Sequence, residues 1–77
     1  MENKNTISKL IDHTRKIEEN NNINIKYSSS ISSLINSDLE QLIDRDLEEK
    51  LQELNKRIKD INQLTAELLE DLSKRHN

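Results

Sequence analysis

Leu47-Glu48-Glu49-Lys50-Leu51-Gln52-Glu53-Leu54-Asn55-Lys56-Arg57-Ile58-Lys59-Asp60-Ile61 decides the fold, and the pattern it begins runs on to Leu72. Leu47, Leu51, Leu54, Ile58, Ile61, Thr65, Leu68 and Leu72 are separated by alternating steps of 4 and 3 residues. Such steps stay close to the 3.6-residue turn of an α-helix, so these side chains share one stripe along it. All are Ile or Leu except Thr65. A stripe sustained over more than three heptads predicts a coiled-coil helix, one that packs lengthwise against other helices.

The positions beside the stripe narrow the choice of neighbour. A parallel homodimer of this helix would bring Lys50 near Asn55, Arg57 near Asn62 and Leu64 near Leu69 of the other chain. None of these is an opposite-charge pair, so the charge code of a two-stranded homodimer is missing. Leu64 and Leu69 widen the apolar face instead, which suits a helix touching more than one neighbour. The expected partner interface is therefore Leu47, Leu51, Leu54, Ile58, Ile61, Leu64, Leu68, Leu69 and Leu72. The expected partners are other coiled-coil proteins, with a hetero-oligomer favoured over a homodimer.

Upstream the spacing changes. Ile31, Ile35, Leu39, Ile43, Leu47 and Leu51 recur every fourth residue, a stripe that sweeps around a helix instead of running straight. Leu34 and Leu42 add a second edge. This predicts a helix that changes neighbours or kinks near residues 36–38. Its start is open between residues 28–30 and Ser37. At the second place, Ser37 and Glu40 match a capping box. Asp46 with Lys50, Glu53 with Arg57, Glu70 with Lys74 and Asp71 with Arg75 are acid-to-base pairs one turn apart, as expected of a solvated helical face.

Toward the N-terminus, residues 6–19 read as a short helix with Ile7, Leu10, Ile11 and Ile17 on one face and Thr14 in the gap. Asn5 or Thr6 is the expected cap. Asn20-Asn21-Asn22 is expected to end it, because Asn competes with helical hydrogen bonds. Ile23-Asn24-Ile25-Lys26-Tyr27 and the serines after it read as a linker. The organisation is thus expected to be a short amphipathic helix over 1–19, an Asn/Ser-rich linker over 20–30 and a long coiled-coil helix over 31–75. The fold class is all-α, forming a bundle or a heteromeric coiled coil with partner chains.

Composition agrees. The 77 residues contain no Gly, Pro or Cys, and Ile and Leu supply 21 of the hydrophobic side chains. Tight turns, phosphate loops and disulfides lose their usual residues, and a chain this short buries little core alone. Charged residues make up 35% of the chain with a net charge of −3. Residues 1–36 carry five basic and four acidic side chains, and residues 37–77 seven and eleven. Nucleic acid is not an expected partner, since no basic face stands out. Lys9, Arg15 and Lys16 flank the first apolar face, but Asp12, Glu18 and Glu19 dilute them, so membrane contact is expected to be at most peripheral. No stretch reaches the ~20 apolar residues of a membrane span, and no apolar run follows the first residues, so the expected location is cytoplasmic.

No nucleophile elbow, P-loop, dinucleotide loop or zinc pattern occurs. His13 and His76 lie far apart in sequence. Asp44, Asp46 and Glu48 lack the Gly turn of a calcium loop. The expectation is no catalytic residues, no metal and no cofactor.

Residues 47–58 resemble the heptads of coiled-coil subunits in trafficking, actin-nucleation and kinetochore assemblies. Unrelated proteins share such heptads, and the likeness covers under half the chain. The wide, drifting apolar stripe, on a chain too short to bury it alone, leads to the expectation of a non-enzymatic scaffold or adaptor subunit of a larger cytoplasmic complex. Two alternatives are a regulator that forms helix on binding one target helix and a self-assembling viral or cytoskeletal oligomer.

Overall fold

The computed structural model describes residues 3–37 and 44–76. Among them are two helices, α1 over Lys4–Ile35 and α2 over Arg45–His76, packed against each other along their length. The order of contacts makes the pair antiparallel: Ile7 and Ile11 cluster with Leu72, Asn21 bonds to Thr65, and Ser28 bonds to Asn55. Each helix has 32 residues, so each is about 48 Å long at 1.5 Å per residue. The hairpin measures 57 × 17 × 13 Å. It is one helix thick, which leaves most side chains of both helices in reach of solvent.

The all-helical expectation holds across the described residues. The division at Asn20-Asn21-Asn22 does not, because α1 continues unbroken through the segment expected to be a linker. The reason is tertiary. Asn20 and Asn22 face solvent, where their low helix propensity costs a few tenths of a kcal/mol each. Asn21 points into the packed seam and finds a partner there. Residues 31–35 belong to the end of α1 and not to the long helix that was expected to include them.

The caps differ in the same direction. Asn3 opens α1, its side chain accepting from the Asn5 amide at 2.8 Å, two residues ahead of the earliest expected cap. At the other end the Ser37 hydroxyl donates back to the Leu34 carbonyl at 3.1 Å, and the Ser37 amide bonds to the same carbonyl. Ser37 therefore closes α1. Its expected capping partner Glu40, like Leu39, Leu42 and Ile43, lies outside the described residues. The start of α2 is held by Asp44, whose carboxylate accepts from the Leu47 amide at 2.8 Å while its carbonyl accepts from the Glu48 amide. Asp46 and Glu48 in the first turn and Lys74, Arg75 and His76 in the last complement the helix dipole.

All four expected acid-to-base pairs on α2 form, at 3.1 Å for Lys50 with Asp46 and 2.9 Å for Arg57 with Glu53. Lys74 with Glu70 and Arg75 with Asp71 follow at 3.3 Å. Arg45 with Glu49 adds a fifth, at 3.4 Å. All are exposed, so each lends only slight support to local helix.

Candidate interaction face

The residues that meet between the helices keep heptad spacing on both sides. On α1, Ile7, Thr14, Asn21, Ser28 and Ile35 are buried, each seven residues from the last, with Ile11 buried and Glu18, Ile25 and Ser32 half-buried between them. On α2 the facing row is Glu48, Leu51, Asn55, Ile58, Asn62, Thr65, Leu69 and Leu72, all buried or half-buried. Apolar contact concentrates at the open end, where Ile7, Ile11 and Leu72 cluster with Leu69 against them.

The middle of the seam is polar, and it is fully satisfied. The Asn21 side-chain amide donates to the Thr65 hydroxyl at 2.9 Å, and that hydroxyl donates to the Ile61 carbonyl at 2.7 Å. The Ser28 hydroxyl donates to the Asn55 side-chain carbonyl, while the Asn55 amide donates to the Ser32 hydroxyl at 2.8 Å. Thr14 satisfies itself on the Leu10 carbonyl at 2.7 Å. No buried side-chain polar atom among the described residues lacks a partner. Net, such bonds are worth about 1 kcal/mol each, less than burying a Leu in the same place. Their greater effect is on register, because each pairs only at one offset of the two helices.

The nine residues expected at the interface divide into two sets. Leu51, Ile58, Leu69 and Leu72 lie in the hairpin seam. Leu47, Leu54, Ile61, Leu64 and Leu68 are exposed, Ile61 at 53% and Leu64 at 64%. These residues share one side of α2, and α1 covers only one edge of it. The seam instead takes in Asn55 and Asn62, which sequence periodicity does not pick out as buried because they are polar.

The exposed set has a definite place on the hairpin. In an antiparallel pair, residues at the same heptad position of the two helices flank the seam on the same side. On one side the flanking rows are Leu10, Ile17, Asn24 and Ile31 of α1 and Leu47, Leu54, Ile61 and Leu68 of α2. Seven of these eight are Ile or Leu, and none is charged. Beyond them, on the same side, lie Tyr27, Leu34 and Leu64, all exposed. The opposite flank is Ser8, Arg15, Asn22 and Ser29 with Gln52, Lys59, Ala66 and Ser73, where Ala66 is the lone apolar residue. Ser8, Arg15 and Ser73 line one shallow groove there with Ile11, Asp12 and His76, which confirms that these rows share a side.

The hairpin therefore has an apolar side and a polar side, with a polar-centred seam between its helices. Monomeric proteins seldom leave a contiguous apolar surface of this extent in water. The α1 contribution lies partly in the segment that sequence reading took for a linker. The available signal was the seven-residue row from Ile7 to Ile35, obscured because Thr14, Asn21 and Ser28 are polar.

No helix among the described residues is long and apolar enough to cross a membrane. No cluster of three or more potential metal-ligating side chains occurs among them either. The Glu53 carboxyl is held below the ordinary carboxylate range, first by the hydrogen bond from Arg57 and then by the charges of Arg57 and Lys56. That perturbation belongs to a solvated helix turn and not to a cleft. Comparison with protein-family models, with curated proteins and with solved structures finds no match for this chain.

Proposed function

We propose that this protein is a non-enzymatic scaffold or adaptor subunit of a cytoplasmic multiprotein complex. It acts by contributing its two-helix apolar side to a larger helical bundle. One observation carries the reading: seven of the eight residues flanking the seam on one side are Ile or Leu, while the other side is polar. A face of that kind favours helices that bring their own apolar stripes, so the partner class is other coiled-coil proteins.

The test is affinity capture with the full chain as bait, from cells that make it, with three baits side by side. The unaltered chain and an Ala66→Asp variant on the polar side are expected to retain the same helical partners, and Leu54→Asp is expected to lose them. Identical partner sets on all three baits, or no partner on any, would reject the reading.

A further inference from the structure

We propose that the apolar side is covered by a second copy of this chain, so that two hairpins close face to face into a four-helix bundle. The inference rests on the assembly reading above, and it replaces a heteromeric first partner with the chain itself. The missing charge code counts only against one helix zipped in parallel to its copy. The face described here spans two antiparallel helices and is not subject to it.

Three observations favour this occupant. The first is width. A single foreign helix lying in the groove between α1 and α2 would reach the rows of Ile17 and Ile61 but would leave Tyr27, Leu34 and Leu64 farther out. These are 68%, 50% and 64% exposed. A helix beneath each of α1 and α2, the square section of a four-helix bundle, reaches these three side chains as well and leaves Lys50, Arg57 and Asp71 of the same outer row at the solvent rim. Two helices side by side cover more of the apolar side than one does.

The second is area. The chain exposes 6347 Å², whereas a compact monomer of 9.1 kDa exposes about 4,900 Å² by the usual scaling. The excess of about 1,400 Å² per chain belongs to the whole elongated hairpin, and it leaves room for the roughly 800 Å² that each partner gives to a standard stable interface.

The third is fit. Each helix has 32 residues, so a second hairpin ends flush with the first. The rows next to the seam contain no charged residue, so two copies meet without opposing like charges at the centre of the interface, and Lys50, Arg57 and Asp71 of the outer row lie at its rim. Either two-fold axis lying in the interface plane leaves every neighbouring pair of helices antiparallel, as in an up-and-down bundle.

Sedimentation equilibrium of the full chain at micromolar concentrations tests the proposal. The expected mass is twice the 9.1 kDa of one chain. Ile61→Asp is expected to give a monomer and Ala66→Asp a dimer. The melting temperature of the unaltered chain is expected to rise with protein concentration. This second readout decides the matter if Ile61→Asp loses helix as it dissociates. A monomer with a concentration-independent melting temperature would overturn the proposal, as would a trimer or equal behaviour of the two variants. If the chain is monomeric but Leu54→Asp still loses captured helical partners, the second copy is wrong and the assembly reading stands. If capture is also unaffected, both fail.

Discussion

Asn21 and Thr65, 44 residues apart in sequence, are joined by a 2.9 Å side-chain hydrogen bond in the middle of the hairpin seam. A Leu at either place would bury more apolar surface. The pair instead fixes how far α1 is slid along α2 and how each is rolled. The roll matters most. If α2 rotated by one row, Leu54 and Ile61 would turn toward α1 and the apolar side would vanish into the hairpin. The polar centre, including Ser28, Asn55 and Ser32, opposes that rotation and keeps the apolar rows outward.

Truncating Asn55 should show this most directly, since one side chain serves two serines. Asn55→Ala leaves the Ser28 and Ser32 hydroxyls without their seam partner, and a buried polar group left unmatched costs about 1–3 kcal/mol. The expected result is a lower urea midpoint, by the shift that such a loss of free energy produces, at fixed protein concentration. An unchanged midpoint would mean that water or a shifted register satisfies the serines at no cost.

A contrasting outcome is expected when the network is replaced instead of broken. Asn21→Leu combined with Thr65→Leu removes both partners together, which is commonly neutral or stabilising. Thermal stability should be retained or raised. The register should loosen, with faster hydrogen exchange near Ile25 and Ile58 than in the unaltered chain. Retained stability with unchanged exchange would show that the apolar ends alone fix the register.

The cap at Asp44 gives a separate, local prediction. Asp44→Ala removes the acceptor of the Leu47 amide and should cost about 1 kcal/mol, read as a lower thermal midpoint. Ser37→Ala should change the midpoint much less, because its hydroxyl only donates back to the exposed Leu34 carbonyl. Equal effects would mean that residue 37 contributes to the start of α2 after all.

Glu53 supplies a pH-dependent test. Its carboxyl titrates below the ordinary range because Arg57 donates to it at 2.9 Å and the Arg57 and Lys56 charges favour its ionised form. The native value is the lower one, so the ion pair supports the helix above the unfolded value, and that support is lost as pH falls through the native one. The Glu53 side chain is exposed, so the effect on global stability should be slight. A carbon-detected titration of Glu53 is expected to shift to higher pH in Arg57→Gln. An unmoved midpoint would remove Arg57 as the cause.

Much of the hairpin could be read from sequence, and what could not has a physical reason. The heptads of residues 47–72 and the turn-spaced ion pairs follow from period and charge alone, so α2 was legible. The helix through Asn20-Asn21-Asn22 was not, since local propensity argues against it. What overrides propensity is the bond of Asn21 to a residue on the other helix. The same limit applies to the face. Periodicity shows that Leu47, Leu54, Ile61 and Leu68 share a stripe with Leu51, Ile58 and Leu72. It cannot show which edge of the stripe α1 occupies, because that depends on Asn55 accepting from Ser28 across the seam.

Leu54 and Ile58 turn this division into a test. They stand four residues apart in one apolar stripe, and sequence alone gives them the same role. In the structure Leu54 is 47% exposed on the apolar side, whereas Ile58 sits half-buried in the seam. A charge at Ile58 must be desolvated against α1 without a partner, so Ile58→Asp should lower hairpin stability by about 1–3 kcal/mol or more. A charge at Leu54 remains in water as long as the hairpin stands alone. Leu54→Asp should therefore cost association and not intrachain packing. Circular dichroism at low concentration, where any assembly has dissociated, separates the two. Helicity should fall for Ile58→Asp and match the parent for Leu54→Asp. If both lose helix equally at every concentration, Leu54 is part of the hairpin core and the apolar side is narrower than these rows imply.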